Sequence, residues 1–230
     1  MQMKDAEYMQ GLIDNYGLSK VIKPQEMNTL LDKSAVVRYK KRETIVKKGE
    51  FATNLVLLMD GFVKVEIDDG KRNFILDIVR GMNFVGLPLV LSFDKYLFSI
   101  VSLTDAEVRF IPFDVVKAIL KDNNKLTMAT IQYGNSSFVM PILEKLQSVS
   151  RNNIRGRLAE LLLQFATKIH KSKKFVLLLS RFEIAQMIGF SRENVIRMLT
   201  EFHNEGIITI SGKSLEVLDI ERLEELAKYS

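Results

Sequence analysis

The 230 residues, 47% hydrophobic and 27% charged with a net charge of +5, are enough for two ordinary domains and too apolar for a disordered segment. The absence of cysteine excludes disulfides, thiolate catalysis and cysteine-held zinc or iron–sulfur clusters, and two isolated histidines, His170 and His203, leave no basis for a histidine metal site or a serine triad. No apolar run approaches ~18 residues and the first residues lack a secretory apolar stretch, so the expectation is a soluble cytoplasmic protein with no membrane segment, and not an enzyme.

Residues 4–33 read as helical, with Pro24 placed to open a second segment running to Lys33. From Val36 the apolar period changes to two. Short strands are predicted at Val36–Tyr39, Thr44–Val46, Leu55–Met59, Phe62–Ile67, Phe74–Val79, Phe98–Ser102 and Glu107–Ile111, which together indicate a sandwich or roll. Gly49, Gly61, Gly70, Gly81 and Gly86 punctuate them where tight turns are required.

After Pro112 the period returns to that of a helix, first over Phe113–Lys121 and then over a longer span from Leu126 to Val149. Val139, Ile142, Leu146 and Val149 form one apolar edge, and Ala129, Tyr133, Ser136, Met140 and Leu143 form a second beside it. Pro141 lies within this span and predicts a kink, because it removes one amide donor. Arg151 to Asn153 reads as a joint, with Asn153 able to cap a helix over Ile154–Ile169 that carries Leu158, Leu161, Leu162 and Phe165. A basic loop, His170 to Lys174, follows it.

From Ser180 to His203 the pattern is that of two short helices broken at Gly189. Ser180 and Glu183 have the spacing of a capping box, and Ile184, Met187 and Ile188 recur at helical period. Ser191 starts the second helix. There Val195, Met198, Leu199 and Phe202 gather on one side, and Arg192, Glu193, Ile196, Arg197 and Thr200 on the other. Two helices joined by a short turn make a helix-turn-helix, whose second helix can enter the major groove of DNA. Arginine can donate two hydrogen bonds to guanine, and a carboxylate can accept one from cytosine. A charged outer face on an ordinary core helix is the competing reading.

Beyond this pair, Ile207–Ile210, the turn Ser211-Gly212-Lys213 and Leu215–Leu218 predict a β-hairpin wing, and Ile220–Lys228 a closing helix. Charge is unevenly distributed. Residues 151–213 hold eleven Arg and Lys against five Glu, whereas residues 214–230 hold two against five acids. Positive charge therefore accumulates around the helix pair, as phosphate neutralisation requires.

Ser-Arg-Glu-x-Val-x-Arg at 191–197, preceded by Glu-Ile-Ala-Gln-x-Ile-Gly and followed by Gly-Ile-Ile-x-Ile-x-Gly-Lys, resembles the DNA-binding domain of the Crp/Fnr regulators. Leu55 to Val65 followed by Gly81-Met-Asn-Phe-Val-Gly86 resembles the sensor roll of the same family. The resemblance implies an α+β chain with an N-terminal cyclic-nucleotide-binding-like β-roll over residues 1–125, a dimerisation helix over 126–150 and a C-terminal winged helix-turn-helix over 151–230. It implies a homodimer acting on double-stranded DNA and RNA polymerase. Arg192, Glu193 and Arg197 correspond to base-reading positions, and Arg181, Ser191 and Lys213 to positions near phosphates.

The chain departs from the family at the cyclic-nucleotide cassette. Where those relatives follow the last glycine with a ribose-holding glutamate, this sequence has Leu87 and Pro88. Where they place an arginine and a hydroxyl for the cyclic phosphate, it has Tyr96, Leu97 and Phe98. A buried phosphate would find no cation here, so cyclic AMP is not expected to bind. Leu87, Pro88, Tyr96, Leu97 and Phe98 become a candidate apolar pocket for an unidentified effector, or they simply fill the roll. No cofactor is predicted, since neither histidine lies in the roll to hold a haem. A protein–protein scaffold that does not read DNA is the rival function.

Overall fold

The computed structural model describes residues 20–68, 70, 73–87, 92–140, 142–143 and 153–229. It divides into two compact units, residues 1–68 with 77–142, and residues 69–76 with 143–230. Most of residues 4–33 assigned to the first helical stretch lie outside the described residues.

In the first unit, α1 (Pro24–Asp32) starts at the proline, and the Lys23 amide donates to the Glu26 carboxylate at 2.8 Å, closing the first turn. Eight strands follow: β1 (Ala35–Tyr39), β2 (Thr44–Val46), β3 (Asn54–Asp60), β4 (Phe62–Asp68), β5 (Asn73–Arg80, which belongs to this unit from Asp77 on), β6 (Asn83–Val85), β7 (Ser99–Ser102) and β8 (Ala106–Pro112). They form two four-stranded sheets, ordered β1-β8-β3-β6 and β2-β7-β4-β5. Central β3 is buried from Leu55 to Met59, because β8 and β6 flank it on both edges. On β4, Val63 and Val65 are buried and alternate with partly exposed residues, the period-two signature of a strand with one covered face. The sequence pattern missed β6, whose three residues are too few to show a period. It is fixed instead by the pairing of its Val85 with Val56 on β3.

Gly86 closes β6 with a φ of +69°, and a Cβ there would stand 2.1 Å from Cζ of Phe98. Only glycine lets that fully buried ring seat against the backbone.

Two helices complete this unit, α2 (Phe113–Asp122) and α3 (Asn124–Gly134). The side chain of Asn123 accepts from the Leu126 amide at 3.1 Å and starts α3 two residues earlier than the sequence predicts. The helix expected from Leu126, with a kink at Pro141, changes its winding ahead of that proline. A π turn occupies Asn135–Val139. Local hydrogen bonding accounts for it. The hydroxyls of Ser136 and Ser137 both donate to the Tyr133 carbonyl, at 3.1 and 2.6 Å, and proline at 141 has no amide for the carbonyl four residues back. Pro141 itself and residues 144–150 lie outside the described residues.

The second unit opens with α4 (Ile154–Gln164), where the Asn153 side chain accepts from the Arg155 amide at 2.8 Å. A further π turn, Phe165–Ile169, carries the chain to β9 (Lys174–Val176). The basic segment His170 to Lys174 is thus not wholly loop. Phe175 draws it into a sheet by stacking on His170 at 4.9 Å and on Phe165 at 5.9 Å. After β9 come α5 (Arg181–Ile188), α6 (Arg192–Asn204), β10 (Ile208–Ser211), β11 (Ser214–Val217) and α7 (Ile220–Tyr229). The wing is three-stranded, in the order β10-β11-β9. Leu158, Leu162, Ile184, Val195, Phe202, Leu215 and Leu223 form the core.

Candidate nucleic-acid interface

The turn between α5 and α6 is held by local and distant contacts. Ser180 Oγ accepts from the Glu183 amide while the Glu183 carboxylate accepts from the Ser180 amide, so both orphan donors of the first turn are satisfied. Gly189 ends α5 in the left-handed region at φ +74°, and its amide reaches Ala185 O at 2.9 Å. From α4, Arg157 Nη1 donates to Ile188 O at 2.9 Å, and its guanidinium lies 5.1 Å above the Phe190 ring. Sequence reasoning missed Arg157. An arginine on a helix carries no local sign of its partner.

Ser191 caps α6 by accepting from the Asn194 amide at 3.2 Å. The hydroxyl expected near a phosphate therefore also sets the start of the helix. Val195, Met198, Leu199 and Phe202 are buried, and Arg192, Glu193, Ile196, Arg197 and Thr200 are exposed, as the periodicity predicts. Arg197 is only loosely engaged, with Nη2 3.4 Å from Asn194 Oδ1 and Nε 4.0 Å from Glu201. The side chain remains able to extend.

At the other end of α6, Arg155 donates to both oxygens of Glu205, at 2.9 and 2.7 Å, reaches Glu201 at 3.4 Å and stacks 5.3 Å over Phe202. The hydrogen bonds from Arg155 hold the Glu205 carboxyl below the usual range, and the same bonds to Glu205 raise Arg155. This clamp was also illegible in the sequence.

The wing turn is fastened to α5. Arg181 Nη2 donates to Gly212 O at 3.0 Å, and the Leu177 amide donates to Lys213 O at 2.8 Å. Arg181 is half-buried, and desolvation lowers its affinity for the proton. Lys213 is exposed at the tip, beside Gly212 at φ +60°. Of the residues expected near phosphates, the structure thus brings Arg181 onto the same turn as Lys213.

In the roll, Leu87, Tyr96 and Phe98 are buried, and the rings of Tyr96 and Phe98 meet edge to face at 6.2 Å. The Tyr96 hydroxyl donates to Asn54 O at 2.6 Å, and burial raises its pKa. Leu97 does not join them. It is 36% exposed, in the bend that precedes β7. Pro88 lies outside the described residues. Lys95 is an exposed cation nearby in sequence, and it lies over the exposed Phe51 ring at 5.4 Å.

A cyclic nucleotide-binding domain model matches residues 36–123, and a Crp-like helix-turn-helix domain model matches residues 156–226. The CRP-like cAMP-activated global transcriptional regulator of Mycobacterium tuberculosis is 23% identical over 233 residues, spanning 96% of this chain and all of that one. The cAMP-activated global transcriptional regulator CRP of Salmonella typhimurium is 26% identical over 203 residues, 85% of this chain and 96% of the relative. Among solved structures, FixK2 from Bradyrhizobium japonicum shares the fold at a TM-score of 0.75 and 20% identity, over 84% of this chain and 96% of that one. No helix among the described residues is long and apolar enough to cross a membrane. With the two domain models covering most of the chain in the order sensor, then helix-turn-helix, the protein belongs to the Crp/Fnr family of DNA-binding transcription regulators.

Proposed function

We propose that this chain is a homodimeric, sequence-specific regulator acting in the cytoplasm, in which residues 1–125 sense an effector, residues 126–150 dimerise and residues 151–230 bind DNA. Arg192, Glu193 and Arg197 read base edges, while Arg181, Ser191 and Lys213 meet phosphates. RNA polymerase is its partner in transcription. The observation that carries the reading is the exposed Arg192, Glu193 and Arg197 face of α6, presented by a helix whose opposite face is buried, whose C-terminal end is held from α4 and whose preceding turn is held from α4 through Ile188. Such pre-organisation favours groove binding, since little backbone order remains to be imposed on contact.

The effector is not cyclic AMP in this reading, although two relatives are named as cAMP-activated. Leu87 occupies the place of the family's ribose-holding carboxylate, and the buried Tyr96 and Phe98 flank the place of its phosphate-gripping pair. An apolar or weakly polar ligand suits those side chains better than an anion.

A mobility-shift titration with fragmented genomic DNA, followed by footprinting, tests the DNA function. The expected footprint is an inverted repeat with half-site centres ~34–36 Å apart, a spacing carried over from other two-fold helix-turn-helix dimers. No preferred fragment, a single asymmetric half-site or a monomer in sedimentation overturns the corresponding part of the reading. Binding of protein partners with no DNA shift at all would leave the scaffold function in its place.

A further inference from the structure

We propose that Ile196 is a specificity residue that reads the 5-methyl group of a thymine; the inference rests on the DNA-binding function proposed above. Ile196 is 43% exposed, on the same face of α6 as Arg192, Glu193 and Arg197. Its neighbours one helical turn away on this face, at positions 192, 193 and 200, are Arg, Glu and Thr, so it is an apolar island within a charged surface.

The chemistry of the remaining residues leaves Ile196 a specific task. Two arginines can read guanine and one glutamate can read cytosine, but neither group recognises thymine. Thr200 can offer only its methyl, since its hydroxyl donates to the Ile196 carbonyl at 3.0 Å, and it lies a full turn further from the start of α6. The Asn194 oxygen accepts from Arg197 at 3.4 Å. What distinguishes thymine in the major groove is its methyl group, which apolar side chains contact. Ile196 is the exposed aliphatic residue of α6, and it lies in the first half of the helix, where a recognition helix meets base edges.

The test uses the full chain and a half-site selected from random-sequence DNA. Each thymine of the selected site is replaced in turn by deoxyuridine, which lacks only the methyl. One position should weaken binding by roughly three- to fivefold in the wild type, the scale of one buried methyl. In Ile196→Ala the same replacement should change nothing, while the melting temperature stays that of the wild type because the side chain is exposed. A wild type indifferent to every replacement, or an Ile196→Ala variant that keeps the full deoxyuridine penalty, overturns the inference and leaves the DNA-binding function standing. Failure of the selection to enrich any site overturns that function itself, and this inference with it.

Discussion

Arg155 grips Glu205 through two parallel hydrogen bonds, 2.9 and 2.7 Å long, that join the start of α4 to the end of the recognition helix. Arg155→Ala should lower the stability of the DNA-binding unit by about 1 kcal/mol, the value of a well-formed pair after solvent screening of a half-exposed carboxylate. Because Glu205 titrates below its ordinary range when folded, its contribution is present above the ordinary carboxylate pKa and is lost as pH falls through the lower folded value. The gap between the unfolding curves of wild type and variant, measured from neutral to acid pH, should narrow at the acid end to what the Phe202 stacking contributes. A constant difference would assign the effect to Phe202 stacking alone.

Gly86 and Phe98 predict a second outcome. Gly86→Ala forces a side chain into left-handed backbone and against the ring, and should cost about 2–4 kcal/mol. Phe98→Ala alone should cost about 3–5 kcal/mol through the cavity it leaves. The double variant should be less destabilised than the two costs together, since the cavity accepts the new methyl. Urea unfolding of the four proteins reads the coupling, and strict additivity would show that the ring does not confine Gly86.

On DNA, Arg192→Ala or Arg197→Ala should relax base preference, with a loss of ~1–3 kcal/mol in discrimination at one position each. Lys213→Ala should weaken all sequences about equally if, as proposed, the wing tip meets a phosphate. Affinities for a selected site and its single-base variants separate these outcomes. Equal losses across all sequences from all three changes would reject the base-reading assignment.

Cyclic AMP should fail to bind the roll at physiological concentrations. Each missing charge-assisted contact costs about 1.5–3 kcal/mol, so loss of two or three moves a micromolar site toward millimolar or weaker. Lys95 is the cation that could overturn this, but its side chain lies over Phe51 on the exposed surface. Calorimetric titration with cyclic AMP and cyclic GMP is the measurement, and low-micromolar dissociation by either would refute the expectation.

The helix-turn-helix was legible because its determinants are local. Ser180, Glu183, Gly189 and Ser191 act within a few residues of their own position, and the apolar period of α6 identified the buried face. Strand β9 was not legible, since Lys174 pairs with Glu216, whose position the local pattern does not reveal. Arg155 and Arg157 escaped for the same reason: each looks like a solvated helix residue until α5 and α6 are folded against α4. Leu97 is different. It is as apolar as its neighbours, and the bend before β7 in which it stands exposed is not written in its residue type. The π turn before Pro141 falls between these cases, with its serines visible but the capture of both hydroxyls by one carbonyl not.

Arg181, bonded to the Gly212 carbonyl, makes grip and placement of the wing separable quantities. Each cation that meets a phosphate displaces about 0.9 of a counterion from duplex DNA, and so adds that amount to the slope of log affinity against log salt. Lys213→Ala removes one such cation and leaves the turn fastened. Arg181→Ala would remove the second proposed cation and loosen the turn as well, although the Leu177 amide still donates to Lys213 O. The two variants should therefore give parallel lines, each shallower than the wild type, with the Arg181 line displaced to weaker binding: the shared slope counts ions, and the gap between the lines measures how much of the wing's contribution depends on that hydrogen bond.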